Sequence, residues 1–509
     1  MNVSRDRLGT IATPLVFAFD NTYAAELPGL YVDWPPARVP APRLVWLNEA
    51  LADELGLDAR SFAGDAGARI FAGNETPPGA TPIAQAYAGH QFGGFSPQLG
   101  DGRALLLGEV VDRHGRRRDI AFKGSGRTPF ARGGDGKAAI GPVLREVLIG
   151  EAMHALGVPT TRALAAATTG EAVYRETPLP GAVLTRVAAS HIRVGTFEYF
   201  AMRGEFDRLR LLADYAIRRH DPDLAGRDDR YLGFLRAVAR RQAALVARWM
   251  HVGFIHGVMN TDNMAVSGET IDFGPCAFIE AYDPSTVFSS IDTHGRYAYG
   301  NQPSMARWNL ARFAEALLPL VDPEDPRRAV PAAVEIIDAF PAWFEEAWLA
   351  GARAKLGLAT AGGGDLTLAV DWLALLARQT IDFTLAYRRL ADAAGGNDAP
   401  LRALTSDPAS LDEWLSRWRA RCAEEDSGSN EAWRSARATR MREVDPIVIP
   451  RNHLVEDALA AATIAADYAP FEALLAAVVQ PYVERPGLER YAQPAPLEVT
   501  AGYRTFCGT

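Results

Sequence analysis

Four polar residues occur along the chain in the order that a phosphate-transfer site needs. Lys123 ends the apolar run Ile-Ala-Phe, and Glu146 follows 23 residues later in a predicted helix. Asn263 and Asp272 lie further on, in a polar segment. Kinase-like sites place such a Lys on the nucleotide phosphates, a Glu beside the Lys, and an Asn and an Asp on the metal ion. The order of these residues therefore predicts a binding site for a nucleoside triphosphate.

Glycine-rich turns accompany these residues. Gly100 and Gly102 flank the start of a predicted strand, and Asp135 and Gly136 lie in the segment GGDGKAA. Each piece alone is weak evidence, because glycine clusters usually mark turns and a lone Lys–Glu pair is more often structural. The shared order and spacing of the pieces favour the joint interpretation. One Asn and one Asp, completed by water and phosphate oxygens, suit Mg²⁺ or Mn²⁺.

Val258 departs from the kinase pattern. Small-molecule kinases carry His-Gly-Asp, and the Asp accepts the proton of the substrate hydroxyl; here the sequence is His-Gly-Val. Valine can neither accept a proton nor orient a hydroxyl. The chain is then a catalytically silent scaffold, or Asp262 supplies the carboxylate from another place in the same loop. If the general base lies at a different position than in kinases, we expect the reacting phosphate to lie at a different position as well.

Two arginines stand where kinases have an apolar adenine-binding hinge. The segment TRVAASHIRVG contains Arg186 and Arg193. If both face the cleft, their guanidinium donors would bind phosphates at the adenine end. A reversed nucleotide would present its α-phosphate to the metal, and pyrophosphate would leave. The alternative is that both arginines form surface ion pairs, and the sequence leaves the two interpretations open.

The predicted elements give an α+β fold, with a small β-rich lobe followed by a larger helical lobe. The strands RALLLGEVV and RRDIAFKG are joined by the turn DRHG, and Gly157 ends a predicted helix. The chain is mostly helical after about residue 300. The remaining predictions are strands near Arg162–Leu164, Ala172–Tyr174 and Ala182–Val187, and helices over Leu44–Leu55, Pro142–Leu156, 208–220 and 231–252.

Composition narrows the function class. The chain has 509 residues and a net charge of -9, which gives no support for nucleic-acid binding. No apolar run reaches the ~18 residues of a membrane helix, and the N-terminus has no secretory h-region. The three cysteines are not in CxxC spacing. We therefore expect a monomer in the bacterial cytoplasm. A P-loop is excluded because Ala131 occupies the position of its first glycine.

Several long segments closely resemble the selenoprotein O family, the YdiU-like protein adenylyltransferases. The resemblance runs from about Tyr87 to the C-terminus. It is carried by HQFGGFSPQLGDGRA, FKGSGRTPFARGGDGKAA, LREVLIGEAMHALG, LTRVAASHIRVGTFEYFA, HGVMNTDNMAVSGETIDFGP, VDPIVIPRNHLVE and the cysteine near the end. It implies a protein-kinase-like two-lobed fold with inverted ATP and transfer of AMP to hydroxyl groups of proteins. Transfer of UMP is also known in the family.

The resemblance also implies residue roles. Asp262 becomes the proton acceptor, Asn263 and Asp272 hold the metal, and Glu146 pairs with Lys123. The nucleotide contacts become Gly100, Gly102, Arg103, Lys123, Asp135, Gly136, Arg186, Arg193 and Asp272. The expected domains are an N-terminal extension over 1–80 that wraps the core, a kinase-like N-lobe over 81–190, and a helical C-lobe with a C-terminal extension over 191–509.

The cysteines depart from the family pattern. Family members end in selenocysteine or cysteine, here Cys507. Some relatives place a second cysteine in the loop after the Asp-Phe-Gly motif, where this chain has Thr-Val-Phe-Ser-Ser; the nearest cysteine is Cys276. A regulatory disulfide between Cys507 and that loop is therefore in doubt.

Overall fold

An antiparallel sheet forms in the N-terminal part of the chain, and the C-terminal part is helical. The computed structural model describes residues 17–426, 431–500 and 502–506. The strands are β1 (Tyr31–Asp33), β2 (Arg43–Leu47), β3 (Ile83–Gln85), β4 (Gly89–Gln91), β5 (Gly94–Ser96), β6 (Ala104–Val111), β7 (Arg117–Lys123), β8 (Ala138–Ala139), β9 (Arg162–Tyr174), β10 (Pro178–Ala188), β11 (Phe254–Ile255) and β12 (Ala277–Phe278).

Of the described helices, the first four lie before or between the strands of the main sheet, and the others follow it in the chain. In chain order, the helices are α1 (Thr22–Glu26), α2 (Glu49–Glu54), α3 (Asp65–Phe71), α4 (Ile140–Ala155), α5 (Val194–Ala201), α6 (Phe206–His220), α7 (Arg230–Val252), α8 (Gln302–Val321), α9 (Val330–Lys355), α10 (Asp365–Gln379), α11 (Phe383–Ala394), α12 (Ala399–Arg402), α13 (Pro408–Ala423), α14 (Glu431–Val444), α15 (Asn452–Ala465), α16 (Ala469–Val478), α17 (Glu489–Ala492) and α18 (Leu497–Thr500). None of the helices in the described ranges is long and apolar enough to cross a membrane.

The main sheet has the strand order β1-β3-β6-β7-β10-β9-β2, and β8 pairs with β10 beside this path. The predicted β6–β7 hairpin is confirmed, and it places Lys123 opposite Ala104 and beside Leu184 of β10. The strand predictions within 162–187 are confirmed as parts of two longer strands, β9 and β10, which form one hairpin.

The first 80 residues supply both outer strands of the sheet. β1 pairs with β3, and β2 pairs with β9. The prediction of a helix over Leu44–Leu55 is wrong in its first half, because residues 43–47 pair with the exposed edge of β9. The helical part begins only after Asn48, whose side chain accepts a hydrogen bond from Leu51 N at 3.0 Å and caps α2. Tertiary pairing outweighs local helical propensity here.

Helix α4 confirms the predicted helix over Pro142–Leu156. It packs between the sheet and the C-terminal helices. Its buried side chains contact β9, β10, α15 and α16 in one apolar cluster. The apolar stripe holds the helix in a fixed rotation, so Glu146 on the neighbouring face is directed at the end of β7.

A second large apolar cluster contains buried residues of the helices from α5 through α11 and of the loop between α7 and α8. The predicted helices over 208–220 and 231–252 are confirmed as α6 and α7. Gly253 ends α7 at φ 73°, where a Cβ atom would lie 2.9 Å from Ile279 Cγ1. Only glycine suits this left-handed and crowded position. The polar loop that begins after β11 is thereby anchored on a rigid helix.

Candidate functional site

A cavity of about 1430 Å³ lies between the sheet and the helical part of the chain. Every residue that the sequence singled out for the site lines this cavity. The set comprises Gly100, Gly102, Arg103, Lys123, Asp135, Gly136, Glu146, Arg186, Arg193, Asp262, Asn263 and Asp272. Residues more than 170 positions apart in the sequence are therefore brought to one surface.

Two cations and two carboxylates form a compact cluster at the cavity wall. Lys123 Nζ lies 2.7 Å from Glu146 Oε1 and also contacts Asp272 Oδ1. Arg186 Nη1 lies 2.8 Å from the same Asp272 oxygen and 3.9 Å from Glu146 Oε2. β7, α4 and β10 each supply one member, and the loop after β11 supplies the fourth. Charge balance inside a low-dielectric pocket holds all four in place.

The cluster keeps Asp272 ionised. Burial alone would raise its pKa, but the positive charges of Lys123, Arg186 and Arg193 hold the pKa of Asp272 well below its usual range. Its backbone is left-handed at φ 65°, a conformation that Asp tolerates better than most residues but that still stores strain. Phe273 N donates to Glu146 Oε1 at 3.0 Å and ties this turn to α4.

Asp262 lies in a different environment, on the short helical turn Thr261–Asn263. Burial raises its pKa to about 7. Its Oδ1 is buried and accepts no hydrogen bond from the described residues, and its Oδ2 lies 3.4 Å from Gln91 Nε2. A carboxylate that lines the cavity and has a pKa near neutrality suits proton acceptance.

The oxygen donors around Asn263 fit a hard divalent cation. Asn263 Nδ2 donates to Val258 O at 3.0 Å, which leaves its amide oxygen as the free acceptor. The hydrogen bonds that Asp272 accepts from the described residues fall on Oδ1. No group of three or more His, Cys, Asp or Glu side chains in the described ranges forms a metal cage. Asn263 and Asp272 would therefore hold Mg²⁺ or Mn²⁺ only together with phosphate and water oxygens.

Both arginines of the hinge-like segment are buried rather than at the surface. Arg186 is 3% exposed and Arg193 is 2% exposed, and both line the cavity. Arg193 lies 4.5 Å over the Tyr87 ring, donates to His191 O at 2.8 Å, and keeps a buried Nε with no partner among the described residues. The alternative of surface ion pairs is thus wrong for these positions. An anion in the cavity would lie beside both guanidinium groups.

Steric crowding explains why the turns at the cavity contain glycine. A Cβ atom on Gly100 would lie 2.4 Å from Phe130 Cγ, and one on Gly136 would lie 2.2 Å from Gly126 O. The neighbouring Asp135 carboxylate is held by Arg175 at 2.8 Å and by the backbone N–H of Lys137 at 2.9 Å. Its side chain therefore shapes the loop at the cavity rim.

Sequence reasoning gave no role to three polar residues of the cavity region. Asp101 is buried, and its Oδ1 lies 4.0 Å from Arg193 Nη1. The ring of Tyr87 packs against the guanidinium group of Arg193. Gln91 contacts Asp262 from the hairpin formed by β4 and β5. The signals in the sequence were the density of Gly, His and Gln in YAGHQFGG and, for Asp101, its place between the two glycines of LGDGR.

The C-terminal tail also lines the cavity. Thr505 N donates to Phe288 O at 2.8 Å, and Ser290 N donates to Thr505 O at 2.9 Å. Cys276 is buried, and burial raises the pKa of its thiol to about 12, so it is a poor nucleophile. The hypothesis about Cys507 concerns a residue outside the described ranges. The tail contacts that are described are non-covalent.

Comparison with known proteins shows the family to which the chain belongs. The family model described as protein adenylyltransferase SelO matches residues 15–479. A protein nucleotidyltransferase YdiU of Chromobacterium violaceum is 63% identical over 479 residues, which is 94% of this chain and 99% of the relative. Proteins of the same name from Cereibacter sphaeroides and Rhizobium rhizogenes are 62% and 58% identical, over 97% and 96% of this chain and 100% and 97% of their own lengths.

Proposed function

Because the chain belongs to the protein adenylyltransferase SelO family and is a nucleotidyltransferase, we propose that it transfers AMP from ATP to Ser, Thr or Tyr hydroxyl groups of proteins. The observation that carries the proposal is the burial of Arg186 and Arg193, which belong to the segment where the kinase pattern predicts an adenine hinge. Two buried guanidinium groups favour phosphates over a purine ring beside them. The nucleotide would then lie reversed relative to its orientation in kinases.

The reaction follows from that orientation. The target hydroxyl oxygen attacks the α-phosphorus, the bond between the α-phosphorus and the bridging oxygen breaks, and pyrophosphate leaves with that oxygen. Asp262 takes the hydroxyl proton, because its carboxyl group lines the cavity and has a pKa of about 7. Lys123, Arg186 and Arg193 stabilise the charge on the leaving pyrophosphate.

The remaining residues bind and orient. Glu146 fixes Lys123, and Asn263 and Asp272 would hold the divalent cation, which supplies neutralising charge to the phosphates when bound. We assign the turns with Gly100, Gly102, Arg103, Asp135 and Gly136 to the nucleotide because they line the same cavity.

We also infer a kinase-like two-lobed arrangement, with 81–190 and 191–509 as the two lobes and 1–80 as an extension. The antiparallel sheet before residue 190 and the helices after it support the division. We propose that the protein acts as a monomer in the bacterial cytoplasm on protein substrates.

The test uses the purified protein with Mg²⁺ and ATP labelled at the α- or the γ-phosphate, with a cell extract as acceptor. Label retained on protein from α-labelled ATP alone supports adenylyl transfer. Label retained from γ-labelled ATP alone indicates a kinase, and it would overturn the roles given to Arg186 and Arg193. Binding of ATP with no transfer to any acceptor indicates a silent scaffold. A parallel arm with Mn²⁺ and α-labelled UTP tests UMP transfer, and Asp207→Ala, on an exposed helix start, is the matched control for site variants.

A further inference from the structure

The β4–β5 hairpin packs directly on the proposed base. Its strands pair with Gly89 opposite Ser96 and Gln91 opposite Gly94. A Cβ atom on Gly89 would lie 2.6 Å from Asp262 Oδ1. Gln91 Nε2 lies 3.4 Å from Asp262 Oδ2, and Ser96 Oγ lies 3.5 Å from Gln91 Oε1. The carboxylate of Asp262 is thus bordered by one hairpin on both of its oxygens.

A buried hydrogen-bond triangle fastens this hairpin to the loop. His90 N donates to Thr261 Oγ1 at 2.7 Å, and Thr261 Oγ1 donates to Glu198 Oε2 at 2.5 Å. The other Glu198 oxygen lies 2.5 Å from His90 Nδ1. Glu198 belongs to α5, so strand, loop and helix are joined through one buried carboxylate. Thr261 immediately precedes Asp262, and the triangle therefore fixes the backbone that carries the base.

The hairpin turn is held in an unfavourable conformation. Phe92 has φ 51° and Gly93 has φ 89°, which is the pattern of a type I′ turn with a bulky residue in the first position. Phe92 N donates to Asn260 Oδ1 at 3.1 Å, and its ring contacts Tyr297 at a centroid distance of 5.2 Å. Such strain persists where surrounding contacts over-determine it, and it clusters at functional sites.

We propose that the β4–β5 hairpin positions the Asp262 carboxylate, with Gln91 as a positioning residue that donates to Oδ2 while Gly89 covers the buried Oδ1. The inference rests on the proposed function, since it assumes that Asp262 accepts the proton. The hairpin would thus act on the general base. The charged cluster of Lys123, Glu146, Arg186 and Asp272 would instead act on the phosphates. General-base catalysis depends on orientation, so a small displacement of the carboxylate should lower turnover while nucleotide binding persists.

The first experiment compares Gln91→Met with Gln91→Ala and Gln98→Ala. Met keeps the length of Gln but removes the N–H donor, and Gln98 is an exposed glutamine of the same segment outside the cavity. We expect Gln91→Met and Gln91→Ala to lower kcat for adenylyl transfer roughly 10- to 100-fold, with KM for ATP within about threefold and Tm unchanged. Gln98→Ala should match the parent protein. Full kcat in Gln91→Met would overturn the positioning role.

The second experiment is independent of activity. Thr261→Val keeps the shape of Thr261 but removes both the acceptor of the His90 amide and the donor to Glu198. Hydrogen exchange of peptides over 89–96 should then become about tenfold faster or more, because the hydrogen bond of the His90 amide is lost, while the exposed control Thr293→Val leaves it unchanged. Unchanged exchange in Thr261→Val would overturn the anchor.

The two results separate the two ideas. A parent protein that transfers no α-label, combined with faster exchange in Thr261→Val, removes the proposed function and keeps the anchored hairpin. Transfer by the parent protein with full kcat in Gln91→Met keeps the proposed function and removes the positioning role of Gln91.

Discussion

Asp262 and Asp272 line the same cavity but have opposite surroundings. Asp272 contacts Lys123 and Arg186, and these charges hold its pKa well below the usual range although burial would raise it. Asp262 is bordered by Gly89 and the neutral amide of Gln91, and burial raises its pKa to about 7. One aspartate is a permanent anion, and the other can exchange a proton near neutrality.

The difference teaches how one site divides its work. A metal ligand must stay ionised, and a proton acceptor must be able to take a proton, so their environments have to shift the two pKa values apart. The chain does this by placing Lys123 and Arg186 of the sheet against Asp272 and a glycine-containing hairpin against Asp262. The predictions below test whether the two aspartates are as different as their surroundings indicate.

Asp272→Ala should have the largest effect. Loss of the permanent anion removes the metal ligand and leaves Lys123 and Arg186 with Glu146 as their remaining acidic partner, so metal-dependent transfer should fall by on the order of 10³-fold or more. Transfer of α-label and the circular dichroism spectrum check the result. A folded variant with full activity would remove Asp272 from the site.

Asp262→Asn should lower kcat by about 10²- to 10⁴-fold, the range typical of a lost general base. Affinity for ATP, measured by calorimetry with a non-transferable analogue, should change by less than about threefold, because Asp262 has no cationic partner at hydrogen-bond distance. Equal losses of ATP affinity in the Asp262 and Asp272 variants would erase the contrast between them.

Glu146→Gln should have a milder effect, about tenfold on kcat/KM. The substitution weakens the bond to Lys123 and keeps the shape of the acceptor for Phe273 N, while Lys123 still contacts Asp272. Steady-state kinetics over a range of ATP concentrations measure it. A loss as large as that of Asp272→Ala would show that Lys123 depends on Glu146 alone.

The pH dependence of the melting temperature should show the smallest effect. Its sign should be opposite for the contributions of Asp262 and Asp272. The folded-state pKa of Asp262 lies above its unfolded value, so its contribution is fully present below about pH 4 and is lost as pH rises through about 7. In buffer with a chelator, Tm of Asp262→Asn minus Tm of the parent should therefore increase between pH 5 and pH 8.

Asp272→Asn should instead be less stable than the parent across that range, because its folded pKa is depressed and its two ion pairs are lost. Parallel melting curves for the two variants would contradict the proposed difference in surroundings.

Much of the scaffold could be predicted from periodicity. α4, α6, α7 and the β6–β7 hairpin are confirmed, because each has a long apolar pattern or a clear turn of its own. The strand at Arg43–Leu47 was wrongly predicted as helix, since its conformation depends on an edge of β9 that lies over a hundred residues later.

For the site, motif order named the residues around the cavity, but it could not supply their contacts. Nothing in the local sequence says that Gly89 touches Asp262 or that Glu198 joins His90 to Thr261, because these are long-range contacts without periodicity. The choice between buried and surface positions for Arg186 and Arg193 likewise needed the packed structure.

The two outer strands of the sheet have a consequence for synthesis. β1 and β2 leave the ribosome first, yet β2 can pair only after β9 has been made, with Arg43 opposite Thr168. The early segment must wait, unpaired, for its partner, and closing so long a loop is entropically slow. The β2 edge of the sheet can thus be completed only after β9 has been synthesised.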